Sequence, residues 1–300
     1  MGFYQRQIDK ALQGAPVIRA KDHPKIVMFS DCHRGSGTWN DSFLQNKPLY
    51  MAALQYYRRN HFTYIELGDG DELWENRRYQ DICQIHSDVF RLLTDFQTAG
   101  RLFLLWGNHD RAKSAKHFFT APQDCFPLLA PVFSQGLIVR GQDGCPDLHL
   151  IHGHQTDLLN NQLWKAARWM VRYLWKPLEL AGVNDPTSAA KNYSRKNLSE
   201  QRMSDWTGSR KKILVAGHTH RPVLSMEPGC LYYNTGSCVH PGSITCLELT
   251  YGQLTLVKWT TCVDERRYFY VCREVLSGPK NLCQPVSPAG IPPENVSIQE

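Results

Sequence analysis

The chain lacks the cysteine spacings that announce a zinc module. Its ten cysteines, from Cys32 to Cys283, contain no CxxC pair and no Cys/His zinc pattern. No apolar run approaches the roughly 20 residues that a bilayer-spanning helix requires. The first residues, MGFYQRQIDKALQGAP, have neither the apolar core of a secretory signal nor an Arg/Ser-rich transit pattern. Arg6 stands where N-myristoylation prefers Ser or Thr. No segment repeats, which excludes solenoids and propellers. Together these absences lead us to expect a soluble, cytoplasmic protein with reduced thiols.

What is present is ordinary for a globular protein: 42% hydrophobic and 21% charged residues in a 300-residue chain long enough to bury a sizeable core. The charge is unevenly placed. Residues 155–212 hold eleven Lys/Arg against five Asp/Glu, an excess equal to the whole formal net charge of +6.

Apolar runs alternate with helix-period segments in the first half. KIVMFS (25–30), FTYIEL (62–67), LFLLW (102–106), LHLI (148–151) and ILVA (213–216) read as short buried strands, with helices over 43–60 and 80–97. Strands alternating with helices predict an α/β core. After Pro222 the texture turns β-rich, and CLYYNTG, SITCLELTY, QLTLVKWTT and RRYFYVCRE suit a mostly antiparallel second sheet, two of them joined as a hairpin at Gly252. From Ser277 the chain becomes rich in Pro, Ser and Asn and reads as a loose tail, 277–300, after a domain of 1–276.

The segment ELGDGDELWE (66–75) ends an apolar run in a knot of carboxylates, and it is not alone. Each of the five buried runs stops at a polar cluster: SDCH (30–33), GDGDE (68–72), GNHD (107–110), HGH (152–154) and GHTH (217–220). Ligand sites in open α/β sheets lie beyond the carboxyl ends of the strands, so these loops can converge on one crevice. Any one cluster alone reads as a solvated turn or a hydrogen-bonded core histidine. Six of the twelve histidines fall in them, each after an apolar run, and that joint pattern points to metal. Imidazole, carboxylate and carboxamide together suit Mn, Fe or Zn, whereas all-oxygen sets suit Mg or Ca.

In this order the motifs resemble those of the calcineurin-like metallophosphoesterases: D-x-H, GD-x-x-[D/E], GNH[D/E], an HGH and GH-x-H, with NTGS (234–237) after them. The resemblance implies a four-layer α/β/β/α sandwich with a helical insertion before the last metal motif, and two divalent cations, manganese first among them. It implies that Asp31, His33, Asp69 and His220 hold one metal, and Asp69, Asn108, His152 and His218 the other. Asp69 would be the bridge. His109 would face the phosphate as general acid or transition-state stabiliser, oriented by Glu72. The implied reaction is hydrolysis of a phosphate ester or diphosphate by a hydroxide bridging the metals. His152 is the expected ligand of HGH, with His154 behind it or facing substrate. Arg34 and Arg111 adjoin the motifs and could clamp substrate or lie on the surface. Asp71 reads equally as support for the site or as a solvated turn residue, and Glu75 is unassigned.

Substrate identity should lie in the basic insertion, 155–212. LWKAARWMVRYLWKPLEL (163–180) reads as a helix with Lys165, Arg168, Arg172 and Lys176 along one face. Either it packs on the sandwich, or it is a lid in which Arg168 and Arg172 meet a polyanion and the tryptophans meet a base, sugar or acyl chain. The lid reading would also allow peripheral lipid contact. This arrangement, with Trp74 close behind Glu72, is similar to UDP-2,3-diacylglucosamine hydrolases, although those carry GNRD where this chain has GNHD. The expected partner is therefore a phosphorylated small molecule or nucleotide, with no stable nucleic-acid complex. A protein phosphatase, a nuclease and a non-catalytic scaffold binding through 155–212 are the remaining alternatives.

Overall fold

The computed structural model describes residues 2–38, 41–115, 118, 133–142, 144–157, 169, 171 and 193–283. The helix expected at 163–180, with Arg168 and Arg172, lies outside them apart from two positions, as does most of the expected tail.

Two sheets face each other. One has seven strands in the order β13-β12-β11-β2-β3-β4-β5: Phe269–Asn281, Gln253–Val263, Ser243–Thr250, Lys25–Phe29, Thr63–Leu67, Leu102–Leu105 and Phe133–Ser134. The other has six in the order β1-β6-β7-β8-β10-β9: Val17–Arg19, Gly136–Arg140, Leu148–Ile151, Ile213–Ala216, Tyr232–Thr235 and Pro222–Val223. Strand periodicity explains why both faces are covered. In β2, Val27 and Phe29 point to helices α2 (Lys47–Arg59), α3 (Tyr79–Ile85) and α4 (Ser87–Thr98), while Ile26 and Met28 point into the gap between the sheets. The second sheet sends Leu150 and Val215 inward. It presents Ile151, Leu214 and Ala216 to α1 (Phe3–Leu12) and α5 (Tyr193–Arg210), which supply Ile8, Met203 and Trp206. Three apolar cores thus separate four layers, the expected sandwich.

Register positions the site. Phe29 is opposite Glu66, and Leu67 opposite Leu105, so the central parallel strands end in step and their loops start at one level.

Several expectations change. The late strands do not form a sheet of their own: β10 joins the second sheet beside β8, while β11 to β13 extend the first by antiparallel pairing of β11 on β2. Sheet membership depends on long-range pairing, which local pattern does not carry. β13 runs on through Asn281, so the boundary expected at 276 falls within a strand. The reduced-thiol expectation is also overturned. Cys145–Cys283 and Cys262–Cys272 are disulfides, and Cys83 is bonded to a partner outside the described residues. The first pair is 138 residues apart in sequence, and only folding brings the β6–β7 turn against the end of β13. The expected compartment loses this support. Among the described residues, no helix is long and apolar enough to cross a membrane.

The helix expected over 80–97 is two helices, because His86 leaves helical geometry (φ −109°) and turns its ring inward. Its Nε2 lies 3.1 Å from both the Gly35 carbonyl and Asp41 Oδ2, and Asp41 also accepts the amides of Gly37 and Leu44. Burial would raise the Asp41 carboxyl; His86 and the Gly37 amide outweigh it and hold it below the usual carboxylate range. A depressed carboxylate stabilises the fold above its unfolded pKa, about 4, and that contribution is lost as pH falls through the folded value. Asp41→Asn should therefore lower the urea midpoint at neutral pH and flatten its decline below about pH 4 relative to the parent chain. Parallel pH profiles would contradict this.

Candidate metal centre

Five loops meet at the carboxyl ends of β2, β3, β4, β7 and β8. The backbone turns sharply at the donor positions: Asp31, His33, Asp69, His218 and His220 all have φ between 49° and 69°. Non-glycine residues avoid this region, and finding five donors in it marks strain concentrated at one place. Glycines make the approach possible. A Cβ on Gly107 would collide with the Asp69 carboxylate, and one on Gly70 with Glu66 and Arg34.

Asp31, His33 and His220 present donor atoms that lie within 4.8 Å of one another, and so do Asp69, His152 and His218. Asp69 Oδ2 stands between the groups, 3.0 Å from His152 Nε2 and 3.9 Å from His33 Nε2, while its Oδ1 accepts the His109 amide at 2.8 Å. Asp31 Oδ1 is 3.1 Å from His220 Nε2, and its Oδ2 accepts the His218 amide at 2.9 Å. His152 donates Nδ1–H to the Leu67 carbonyl at 2.8 Å, which turns Nε2 toward Asp69. His33 places Nδ1 2.9 Å from Glu72 and points Nε2 at the two aspartates. Imidazoles held by a carbonyl or carboxylate on the far nitrogen are arranged as metal ligands usually are.

The fit to cations is visible in what lacks a partner. Asp31 Oδ1, His33 Nε2, Asn108 Oδ1, His152 Nε2 and His218 Nε2 are buried without a hydrogen bond among the described residues. Five orphaned donor atoms in one buried pocket would be costly unless something positive satisfies them. The electrostatics agree. Burial opposes the charge on Asp31 and Asp69, yet the surrounding histidines pull both carboxyls far below the ordinary range. Burial likewise opposes protonation of His152, but Asp69 and Asp31 raise it to about 9; His218, buried and next to His152, falls to about 4. Without metal, protons do part of the cations' work, and metal binding should release them.

His109 stands at the open side. Its Nδ1 is 2.7 Å from Glu72 Oε2, its ring stacks on Trp74 with centroids 4.3 Å apart, and its ring lies 4.7 Å from that of His33. Glu72 therefore holds two histidines, His33 as well as His109. Trp74 is fixed in turn by its indole N–H donating to the Asn108 carbonyl at 2.7 Å.

Other expectations do not survive. Arg34 is no substrate clamp: it is fully buried, with its guanidinium on Glu66 at 2.8 and 2.9 Å and on Asp71 at 2.6 Å. Asp71 is no solvated turn residue, since it is buried between Arg34 and Lys113. His154 is enclosed beside Trp106 (centroids 5.5 Å), with neither ring nitrogen hydrogen-bonded among the described residues, so it does not face an open substrate site. Arg111 places its guanidinium over the same Trp106 ring, 5.3 Å from its centroid. Asp110 escaped the sequence reading: its carboxylate accepts the amides of Gly107, Asp69 and Gly70 and pairs with Lys113, tying two donor loops together. Its signal was its place as the acid of GNHD, the last position of that motif.

A sandwich of this topology with two buried groups of imidazole and carboxylate donors side by side, Asp69 between them, is a scaffold suited to divalent metal. The chain belongs to the calcineurin-like phosphoesterase family, whose profile matches residues 24–222. No curated protein matches the sequence significantly. Among solved structures, Vps29 of Chaetomium thermophilum is 11% identical, covering 86% of this chain and 99% of its own, with a TM-score of 0.41. The same protein complexed with the RaPID-derived cyclic peptide RT-D3 is 12% identical, covering 85% and 96%, with a TM-score of 0.37. Likenesses this distant carry no argument about function.

Proposed function

We propose that the protein is a dinuclear metal-dependent phosphoesterase acting on a phosphorylated small molecule or nucleotide-type substrate. The observation that carries the reading is the set of orphaned, buried donor atoms around Asp69, next to an imidazole that Glu72 aims at the open side. Asp31, His33, Asp69 and His220 would hold one cation and Asp69, Asn108, His152 and His218 the other. The mixed nitrogen and oxygen donors favour manganese, with iron or zinc as alternatives. When bound, the cations supply Lewis acidity toward phosphoryl oxygens and lower the pKa of a water.

The chain's own groups do the rest. Glu72 accepts from His109 Nδ1 and keeps Nε2 free to hold or give a proton at the ester oxygen. Burial lowers the His109 pKa, but Glu72 and Asp69 outweigh it and raise the group above its ordinary value, which suits a proton donor. Trp74 fixes the ring plane. Asn108 contributes an oxygen without adding negative charge near a phosphate.

Metal analysis of the purified protein should find close to two transition-metal ions per chain. Manganese-supplemented assays on p-nitrophenyl phosphate, its bis ester and a panel of nucleoside-diphosphate esters then test the reaction; no turnover on any of them would sink the enzyme reading. His109→Ala should retain both metals and lower kcat by about 10²–10⁴-fold, the usual worth of a positioned acid–base group. Loss of metal in that variant would instead make His109 a ligand.

A further inference from the structure

We propose that Cys262, Cys272 and Glu274, on the β12–β13 ribbon, form a second metal site: once the Cys262–Cys272 disulfide is reduced, the two thiolates and the carboxylate take one thiophilic divalent cation of the zinc class. The site is separate from the centre around Asp69 and does not rest on the phosphoesterase reading.

The ribbon is antiparallel, with Cys262 opposite Tyr270, Thr260 opposite Cys272 and Lys258 opposite Glu274. Residues two apart on a strand share a face, so Cys262, Cys272, Glu274 and Lys258 stand on one side of the ribbon. There the donors converge. Both cysteine sulfurs lie 3.8 Å from the same oxygen, Glu274 Oε1, and the three donor atoms are all within 4.8 Å of one another. The second oxygen of that carboxylate, Oε2, is held by Lys258 Nζ at 2.6 Å, which keeps Oε1 turned to the sulfurs. A disulfide has no hydrogen to donate, so in the oxidised ribbon these contacts satisfy nothing. The other described disulfide, Cys145–Cys283, has no such company: among the described residues no carboxylate or imidazole completes a donor group there.

The donor set selects its metal. Thiolates are soft ligands that favour zinc over the harder cations suited to the nitrogen and oxygen donors around Asp69. Two thiolates and a carboxylate carry three negative charges, and Lys258 with a divalent cation carries three positive, so the occupied site is neutral. Three protein ligands leave the fourth tetrahedral position to water, which the half-buried setting of all three admits. The hairpin tip does not depend on the disulfide for its shape. Asp264 accepts the amides of Arg266 and Tyr268 at 2.9 and 2.8 Å, and its own amide donates to the Tyr268 carbonyl at 2.9 Å, so the tip stays closed when the S–S bond opens. Loading consumes two molecules of a small thiol. The thiolate of the first attacks one sulfur, the S–S bond breaks, and its electron pair leaves on the other cysteine, which takes up a proton. The second thiol displaces the first from the mixed disulfide, giving two protein thiols and one small-molecule disulfide. The cation then displaces both thiol protons to solvent. Oxidation by a small disulfide runs the sequence in reverse and expels the cation, so metal and disulfide exclude each other.

The test uses the whole chain, reduced with a phosphine and titrated with Cd²⁺ alone, and reads thiolate-to-cadmium charge-transfer absorption. The donor groups around Asp69 contain no sulfur and are silent in that band. One Cd²⁺ per chain should develop the band in reduced protein and none in oxidised protein. Cys262→Ser should weaken Cd²⁺ by more than about 100-fold. Glu274→Gln, which leaves both sulfurs in place, should weaken it by about tenfold or more with the same band at saturation. Cys145→Ser and Asp69→Asn should leave the titration as it is, so the result is read apart from any phosphoesterase activity. No band after reduction, an equal band in the oxidised chain, or a titration that Cys262→Ser or Glu274→Gln leaves unchanged would overturn the proposal.

Discussion

Asp69→Asn is expected to bring the metal content from about two ions per chain to one or fewer and to cost more activity than the roughly 100-fold that loss of an outer supporting group costs a metal site. The reason is geometric. Asp69 is almost fully buried; Oδ1 accepts the His109 amide and Oδ2 faces His152 and His33. An asparagine amide has one oxygen. If that oxygen stays with His109 N–H, an NH₂ group occupies the bridging position and offers hydrogens where a lone pair is needed. If the amide flips, two donors meet at His109. Neither arrangement restores a shared carboxylate, and the charge that draws cations into the pocket is gone. Elemental analysis gives the stoichiometry, and melting gives a second reading: ligands of the native state stabilise by mass action, so a chelator should lower the Tm of the parent chain and leave Asp69→Asn nearly unmoved. Two full equivalents of metal in the variant would remove Asp69 from the bridge.

The position of Asp69 was legible in the sequence because both signals it depends on are local. An apolar run sets the strand, and the first polar residues after it set the loop. The same logic located Asp31 and Asn108 after β2 and β4, and His152 and His218 after β7 and β8, since parallel strands in register put the next residues side by side. What was not legible depends on distant pairing. Arg34 looked available because it follows a donor motif, yet its partners Glu66 and Asp71 come from β3 and the loop after it. Glu66 itself, inside FTYIEL, is a charge in a buried strand, and that anomaly was the one available sign of a buried cation nearby. The disulfides and the division of the late strands between two sheets are likewise tertiary facts. His86 broke a helix whose apolar period continued across it, because its ring serves Asp41 and Gly35 from another segment.

Arg34→Met should destabilise the metal-free protein by about 3–5 kcal/mol, the cost of leaving buried carboxylates without their cation. Beneath the GDGDE loop, Arg34 pairs with Glu66 and Asp71, and Lys113 pairs with Asp71 and Asp110, all of them buried. Burial pushes the Asp71 carboxyl up, but Arg34 and Lys113 prevail and hold it at about 2, so it remains charged at neutral pH. Methionine matches much of the arginine stem and none of its charge, and it would leave the buried Glu66 carboxylate without its cation, with the Tyr64 hydroxyl still donating to it at 3.0 Å. The expected readout is a lowered urea midpoint with an unchanged slope. Adding Glu66→Gln should recover part of the loss, because a neutral amide is cheaper to bury than an unpaired carboxylate. Were Arg34 instead a substrate clamp, the variant would keep the parent midpoint and show only a raised KM. Metal affinity should fall along with stability, because the Arg34 guanidinium holds Asp71, two residues after Asp69, and Glu66, three before it, and so ties the chain after His33 to both sides of the Asp69 loop. The acidic knot is therefore supported from below by two cations of the protein, while Asp69 and Glu72 face the pocket above.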